Sequence, residues 1–247
     1  MTLADTKPRE KISLLDSLSR EWLKLPLSIM RDVGPATQTL GGILRLAPTE
    51  TFAAVGKIAQ KSRLPVATVR KHLVTLHDHG WILNVGRERT RAGSPRRTCT
   101  IKLTTKTKAA LGDYSYLPWW ACCSISRIGR LAWSTKAVLS VIMARLAAMK
   151  AAIERQDGTG LDAKDFWGSL DNMGGEDRFR FSHFALEKET GLSRPAIRDA
   201  KRRLATMKIV DWLEGDERGQ LLMPNTAFRV VVTPASEGHC SISFLSG

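Results

Sequence analysis

Apolar residues recur with the same spacing in two separated stretches of the chain, residues 58–82 and 186–210. In each stretch the pattern predicts a short helix, a tight turn, a longer helix and then a strand. A shift of 128 positions aligns core-facing apolar positions of the two stretches, which indicates an internal repeat. The aligned pairs are Ile58 with Leu186, Leu64 with Leu192, Val69 with Ile197, Leu76 with Leu204, and Ile82 with Val210.

Each copy also has turn residues that suit two consecutive helices. In the second copy, Gly191 suits the left-handed conformation that ends a helix, and Ser193 is a good N-cap for the next one. In the first copy, Pro65 follows the Arg63-Leu64 turn and fits the first turn of the longer helix. A short helix, a turn and a longer helix form the helix-turn-helix motif, whose second helix enters a DNA groove.

A predicted strand pair follows the first helix pair. Residues 81–85 and 98–103 are expected to form an antiparallel hairpin, and Gly-Ser-Pro at 93–95 supplies the turn. A hairpin that closes a helix-turn-helix is the wing of the winged-helix family, and the chain resembles a tandem winged helix-turn-helix protein. This resemblance implies a mainly α fold with small β wings (α+β), two winged helix-turn-helix domains in tandem, and double-stranded DNA as the partner.

The repeat divides the chain into two domains with flanking segments. We predict a flexible N-terminal arm at 1–12, a first winged helix-turn-helix domain at 13–110, a linker at 111–131, a second such domain at 132–233, and a C-terminal tail at 234–247, which we expect to be loose. Trp22–Pro26 is loosely echoed by Tyr114–Pro118, so each domain is expected to begin with a similar extended or helical lead-in.

Helical periodicity and breaker residues place further elements. In the first domain we expect helices over 13–30, broken at Pro26, and over 36–46 and 51–62. In the second domain we expect a long helix over 132–155, then an acidic, glycine-rich and solvated insertion at 157–177. Short strands are expected at 178–181 and 228–233, the latter closing the sheet of the second domain.

Positive charge is concentrated in the first copy and its flank. The formal net charge is +14, and residues 57–108 hold 13 Lys/Arg against 2 Asp/Glu, whereas residues 157–247 hold 12 against 14. A surface that is basic only for solubility, which is the alternative, has no reason to segregate charge so strongly. The distribution favours a polyanionic partner.

Candidate DNA-contacting residues lie on the two longer helices and on the first wing. On the first helix, Thr68, Lys71 and Thr75 form a stripe with Arg70 at its flank, a pattern suited to base edges and phosphates. On the second helix, one sector carries four basic residues: Arg194, Arg198, Lys201 and Arg202. The alternative is that exposed helix faces commonly carry such residues.

The two predicted wings differ in charge. The first contains Arg87, Arg89, Arg91, Arg96 and Arg97, which suit phosphate contact or a narrow minor groove. The alternative is a disordered basic loop that attracts nucleic acid only electrostatically. The second wing, LEGDERGQLL, is acidic, and we expect it to stay away from the phosphate backbone.

Motifs of other function classes are absent from the sequence. There is no Walker A, GxSxG or HExxH sequence, so we predict neither an enzyme nor a cofactor or metal site, although a nuclease with an unrecognised metal site is the enzymatic alternative. His72 and His77 are five positions apart and point in different directions, which favours solvated side chains over ligands. The polar N-terminus and the lack of a long apolar stretch predict a cytoplasmic, nucleoid-associated protein.

Tandem winged helices without a ligand-sensing or ATPase domain look like plasmid or phage replication initiators. The resemblance therefore implies sequence-specific binding of repeated origin sites and recruitment of the replication machinery. A transcriptional regulator, such as a repressor that acts on the transcription machinery, is the close alternative. A scaffold that uses winged helices for protein contacts is the third, and the sequence leaves monomer and homodimer open.

Overall fold

The structure is a computed structural model that describes residues 10–13, 22–46, 50–89, 95–111, 114–118, 132–157, 181–213, 221–224, 229–234 and 240–245. It is mainly helical with small antiparallel sheets. The 158–177 part of the predicted insertion, the tip of the predicted second wing and Arg91 lie outside the described residues.

The first half of the chain alternates short strands with helices. Its helices are α1 (Leu27–Val33), α2 (Ala36–Leu46), α3 (Val55–Ser62), α4 (Val66–Asp78) and α5 (Thr105–Ala110). Its strands are β1 (Glu10–Ser13), β2 (Trp22–Pro26), β3 (Glu50–Ala54), β4 (Ile82–Arg89), β5 (Pro95–Leu103) and β6 (Tyr114–Pro118).

The second half opens with the longest described helix and ends in strands. Its helices are α6 (Trp133–Asp157), α7 (His183–Thr190) and α8 (Arg194–Thr206). Its strands are β7 (Val210–Leu213), β8 (Leu221–Pro224), β9 (Arg229–Pro234) and β10 (Cys240–Leu245). We call α3, α4 and the β4–β5 hairpin the first unit, and α7, α8 and the β7–β8 hairpin the second unit.

The internal repeat holds to the residue in the helix pairs of the two units. Helices α3 and α7 begin and end 128 positions apart, and so do α4 and α8. The backbone follows the same offset where it turns left-handed. Arg63 (φ 57°) matches Gly191 (φ 70°) after the shorter helix, and Gly80 (φ 70°) matches Lys208 (φ 54°) after the longer one.

The last residue of each shorter helix carries a buried hydroxyl. Ser62 Oγ donates to the Ile58 carbonyl at 2.7 Å, and Thr190 Oγ1 donates to the Leu186 carbonyl at 2.5 Å. These two bonds again lie 128 positions apart, and each satisfies a hydroxyl that would be costly to bury alone. The two helix pairs therefore share backbone conformation and buried hydrogen bonds, as well as a sequence pattern, at the 128-residue spacing.

Each unit continues into an antiparallel hairpin. In the first unit, β5 lies between β3 and β4, with Ile82 opposite Leu103 and Arg89 opposite Pro95. The β4–β5 register shifts between Asn84 and Arg87 and again between Arg87 and Arg89. In the second unit, β7 pairs with β8 from Val210 to Leu213.

A two-stranded ribbon joins the halves of the chain. Strands β2 and β6 pair antiparallel along their whole length. Lys24 at the centre of β2 lies opposite Tyr116 at the centre of β6, and the first residue of each strand pairs with the last residue of the other. Helix α2 packs on β2 so closely that a Cβ on Gly41 would lie 2.7 Å from Leu25 Cδ2. Helix α6 packs on β6. The two sequences that echo one another are therefore hydrogen-bonded to each other.

The cores of the two units form on the faces that the periodicity predicts. In the first unit, Val69, Leu73 and Leu76 of α4 are buried with Ile58, and residues of α2 complete this cluster. In the second half, all residues from 135 to 143 of α6 are buried, because β6, α7 and α8 all pack on this helix. A helix buried on all sides needs no polar face, which explains the long apolar stretch of α6.

Two helices predicted for the first domain are wrong in part. Residues 22–26 are strand β2 instead of helix, because Leu23 and Leu25 are buried while Lys24 between them is exposed, the alternation of a strand. Residues 51–54 belong to β3, which pairs with β5, and the helix begins only at Val55.

The predicted flexible arm and loose tail both contribute strands. Residues 10–13 and 240–245 flank β9 on its two sides, and both pair with it antiparallel. Strand β9 contains three consecutive valines, residues of high β propensity, and in the centre of a sheet its backbone groups are bonded on both edges. It therefore does not join the β7–β8 hairpin, where the strand at 228–233 was expected.

Candidate nucleic-acid interface

The outer face of α4 combines two cations with an apolar side chain. Arg70, Lys71 and Val74 are exposed on the side opposite Val69 and Leu73, which are buried. At 100° per residue, the three exposed residues fall within one sector. Within the described part of the chain, neither Arg70 nor Lys71 forms an ion pair. The cations are therefore available to a ligand.

The two threonines predicted beside Lys71 are less prominent. Thr68 and Thr75 are half-buried, and Thr75 Oγ1 donates to the Lys71 carbonyl at 3.3 Å. A hydroxyl bonded to its own helix is a weaker candidate for base contact. The exposed face of α4 is therefore centred on Arg70, Lys71 and Val74. It is rotated about the helix axis relative to the face predicted from Thr68, Lys71 and Thr75.

The outer face of α8 is more strongly cationic. Arg194, Arg198, Arg202 and Arg203 are exposed. The Nε atom of Arg194 lies 3.1 Å from Glu187 Oε1, whereas no acidic side chain among the described residues pairs with Arg198 or Arg202. Unpaired like charges on one helix face repel each other, and a bound polyanion would relieve this repulsion.

Lys201 was predicted on this cationic face, and that prediction is wrong. Its side chain is 0% exposed, and its ammonium donates to the Phe181 carbonyl at 2.5 Å. Burial lowers the pKa of Lys201 to about 8. The offset of the repeat aligns Lys201 with Leu73, a core position of α4. That alignment was the sequence signal that would have placed Lys201 inside.

Lys201 instead holds the two helices of the second unit together. Phe181 immediately precedes Ser182, whose hydroxyl caps α7 by accepting from the Ala185 amide at 3.2 Å. The ammonium on α8 therefore anchors the segment that leads into α7. Burial and the nearby charge of Lys201 lower the pKa of His183, and within the described residues its buried Nε2 has no partner.

The histidines of α4 have structural partners. His72 Nδ1 lies 2.8 Å from Thr39 Oγ1 of α2, and burial lowers the pKa of His72. His77 Nδ1 lies 3.3 Å from the Ile82 carbonyl, at the start of β4. His72 was expected to be a solvated side chain, but it helps to attach the inner side of α4 to α2.

An unpredicted polar cluster supports the base of the first hairpin. The Asp32 carboxylate accepts from Trp81 Nε1 at 2.6 Å, Lys106 Nζ at 2.6 Å and His79 Nδ1 at 3.1 Å. Partial burial raises the pKa of Asp32, but the hydrogen bonds from Lys106, Trp81 and His79 outweigh it and lower the pKa to about 2. The three donors therefore hold the carboxylate in its ionised form. Separations of 47 to 74 residues left no local signal for this cluster.

Helix α1, which precedes the first unit, contacts the second unit directly. Helix α1 packs on α7, and Arg31 Nη1 approaches the Lys188 carbonyl at 3.5 Å. A Cβ on Gly191 would lie 2.6 Å from Arg31 Cγ and 2.9 Å from Arg31 Cα. This contact and the β2–β6 ribbon both join the first half of the chain to the second.

The backbone places four of the five arginines predicted for the first wing. Positions 87 and 89 lie in β4, and positions 96 and 97 lie in β5. Pairing of β3 with β5 ends at Ala54 opposite Thr98. The four positions lie at the end of the β4–β5 hairpin near and beyond this point. The hairpin thus brings four of the five predicted arginines to one end.

The described ranges contain no group of three or more His, Cys, Asp or Glu side chains that could hold a metal ion. No helix in them is long and apolar enough to span a membrane.

Comparisons with protein-family models, with curated proteins and with solved structures give no match for this chain.

Proposed function

We propose that this chain is a tandem winged helix-turn-helix protein that binds double-stranded DNA with sequence specificity. In this proposal α4 and α8 are the recognition helices, and the β4–β5 and β7–β8 hairpins are the wings. The observation that carries the proposal is the repeat itself. Arg70 and Arg198 occupy equivalent positions 128 residues apart, and both are exposed on the outer face of the longer helix.

Each proposed recognition helix would lie in the major groove. There an arginine can donate two hydrogen bonds to guanine O6 and N7, and flanking cations can contact phosphates. The arginine-rich first wing would add contacts to the phosphate backbone or the minor groove. The acidic second wing would be repelled by phosphate and would lie away from the duplex.

The proposed biological role is that of a plasmid- or phage-type replication initiator. Two joined, non-identical readers suit a composite site that need not be a palindrome, such as a unit of an origin repeat. A transcriptional repressor would use the same DNA contacts. Footprinting of the DNA that flanks the gene separates the roles, because protection of iterated direct repeats supports an initiator and protection of one operator over a promoter supports a repressor.

Binding to a duplex library with a randomised segment tests DNA binding itself. The full chain should enrich a defined site, and Arg70→Ala and Arg198→Ala should each weaken binding to that site by about 5- to 150-fold, the loss of one bidentate base contact. Fluorescence anisotropy at fixed salt gives the affinities. Equal losses on the selected site and on random DNA would assign the arginine to the backbone.

Arg155→Ala is the matched control, because it removes the same charge from the exposed end of α6, where the Arg155 Nε atom donates, among the described residues, only to the Ala151 carbonyl of its own helix. We expect its affinity to stay within about twofold of the unmodified chain. Absence of duplex affinity at moderate salt would reject DNA binding and favour a protein-contact scaffold.

A further inference from the structure

Val74 is an apolar side chain in the middle of a cationic face. Its side chain is 58% exposed, and it lies one turn after Arg70 and three residues after Lys71, both exposed. Val66, at the start of the same helix, is 40% exposed. Single exposed apolar residues are common on protein surfaces, so exposure alone carries little. The position within the face is the informative feature.

The second unit provides a comparison at the same positions. The 128-residue offset aligns Val66 with Arg194 and Val74 with Arg202. All four lie on the outer face of their helix, while the central arginine is shared as Arg70 and Arg198. The backbone therefore accepts a cation at these positions, and solubility would favour one. In the first unit, both positions carry a branched apolar side chain instead.

The charge of the surroundings restricts what can cover Val74. From residue 66 to residue 77, α4 contains no acidic residue, and Asp78 at its end is the first. A partner must therefore combine negative charge for Arg70 and Lys71 with an apolar group for Val74. The major groove of DNA offers both, because phosphates line it and the C5 methyl group of thymine projects into it.

We propose that Val74, together with Val66 about two turns earlier on the same helix, recognises thymine methyl groups in the half-site bound by α4. This inference rests on the proposed DNA-binding function. It makes the two half-sites chemically different. The α4 half-site contains thymine next to the base or phosphate contacted by Arg70, whereas the α8 half-site is recognised through arginine hydrogen bonds.

Replacement of thymine by uracil tests this inference, because it removes only the C5 methyl and keeps base pairing. The probe is the duplex selected by the full chain from the random library, remade with each thymine replaced by uracil in turn. At one or two positions the affinity should fall by about fourfold, which corresponds to one methyl-sized group returned to water.

Two variants connect the effect to the side chain. Val74→Ala should bind the thymine and uracil duplexes within about twofold of each other at the affected position, while Val74→Thr, which keeps one methyl, should retain part of the difference. Phe184→Ala is the matched control. It removes a 70% exposed apolar side chain from the second unit and should leave the uracil effect unchanged.

The outcomes separate the inference from the function on which it rests. Enrichment of a site in which no thymine-to-uracil change matters, or an effect that persists unchanged in Val74→Ala, overturns the inference and leaves DNA binding standing. Failure to enrich any duplex overturns both. Unchanged DNA affinity of Val74→Ala, combined with loss of binding to a protein partner, would also overturn the thymine inference.

Discussion

The two units share a backbone but differ in the chemistry of corresponding positions. The position of Leu73 in α4 is that of Lys201 in α8, and both side chains are buried. On the outer face, Val74 corresponds to Arg202 and Lys71 to Asp199. The two helix pairs therefore agree in length and turn geometry, whereas the side chains at corresponding buried and exposed positions differ in chemistry.

Of these differences, the buried one between Leu73 and Lys201 should have the largest effect on stability when it is altered by mutation. Leu73→Lys would place an ammonium among the buried apolar side chains Ile58, Val69 and Leu76. We expect a loss of about 4–5 kcal/mol in the free energy of unfolding, or failure of the first unit to fold, because an unpaired buried charge is among the most destabilising changes. Chemical denaturation followed by circular dichroism measures it.

The reciprocal substitution is the control for this experiment. Lys201→Leu removes a buried charge, which stabilises the fold, but leaves the Phe181 carbonyl without its donor. Because the two effects oppose each other, we expect a net loss below the ~1–3 kcal/mol cost of an unsatisfied carbonyl. Similar losses for Leu73→Lys and Lys201→Leu would contradict the proposed asymmetry between the two cores.

The same lysine predicts a dependence of stability on pH. The pKa of Lys201 is lowered from 10.5 to about 8, so the unfolded chain binds more protons between these values, and stability must rise as pH increases through this range. The total gain is about 3 kcal/mol from this group. Below pH 8 the group is protonated in both states and contributes no further slope. Denaturation midpoints at pH 7.5, 9 and 10.5 give the measurement.

Lys201→Leu should remove the contribution of this group to the rise in stability. A midpoint profile between pH 8 and 10.5 that is the same for Lys201→Leu and the unmodified chain would show that another group is responsible.

The sequence predicted local structure well where one periodicity applied. Both helix pairs, the helix at Ala36–Leu46 and the long helix α6 follow from apolar spacing and turn residues. Strand β2 was missed because five residues of alternation are too short to outweigh the helical pattern around them. The β1–β9–β10 sheet was missed because it depends on pairing between the two ends of the chain.

The sequence predicted which helices carry the candidate site, but it predicted less well which of their side chains face outward. Arg70, Lys71, Arg198 and Arg202 are exposed as expected, but helical periodicity alone could not show that Lys201 turns inward to the Phe181 carbonyl. The Asp32 cluster could not be predicted, since its members are brought together only by packing of α1 and α5 beside the first hairpin.

The turn positions offer the smallest and most controlled comparison. Gly191→Ala places a Cβ at φ 70° and 2.6 Å from Arg31 Cγ, so backbone strain and the clash with α1 should together destabilise the chain by about 2–3 kcal/mol. Gly56→Ala is the matched control. Its Cβ would meet nothing within 4 Å at this exposed position of helix α3, and helix propensity predicts a gain of about 0.5–1 kcal/mol in the free energy of unfolding.

Arg63, equivalent to Gly191, already adopts φ 57° with a side chain, which shows that strain alone is tolerated at this turn. A Gly191→Ala loss below about 1 kcal/mol would therefore mean that α1 can move away from α7, and that the two units are not held in one fixed arrangement.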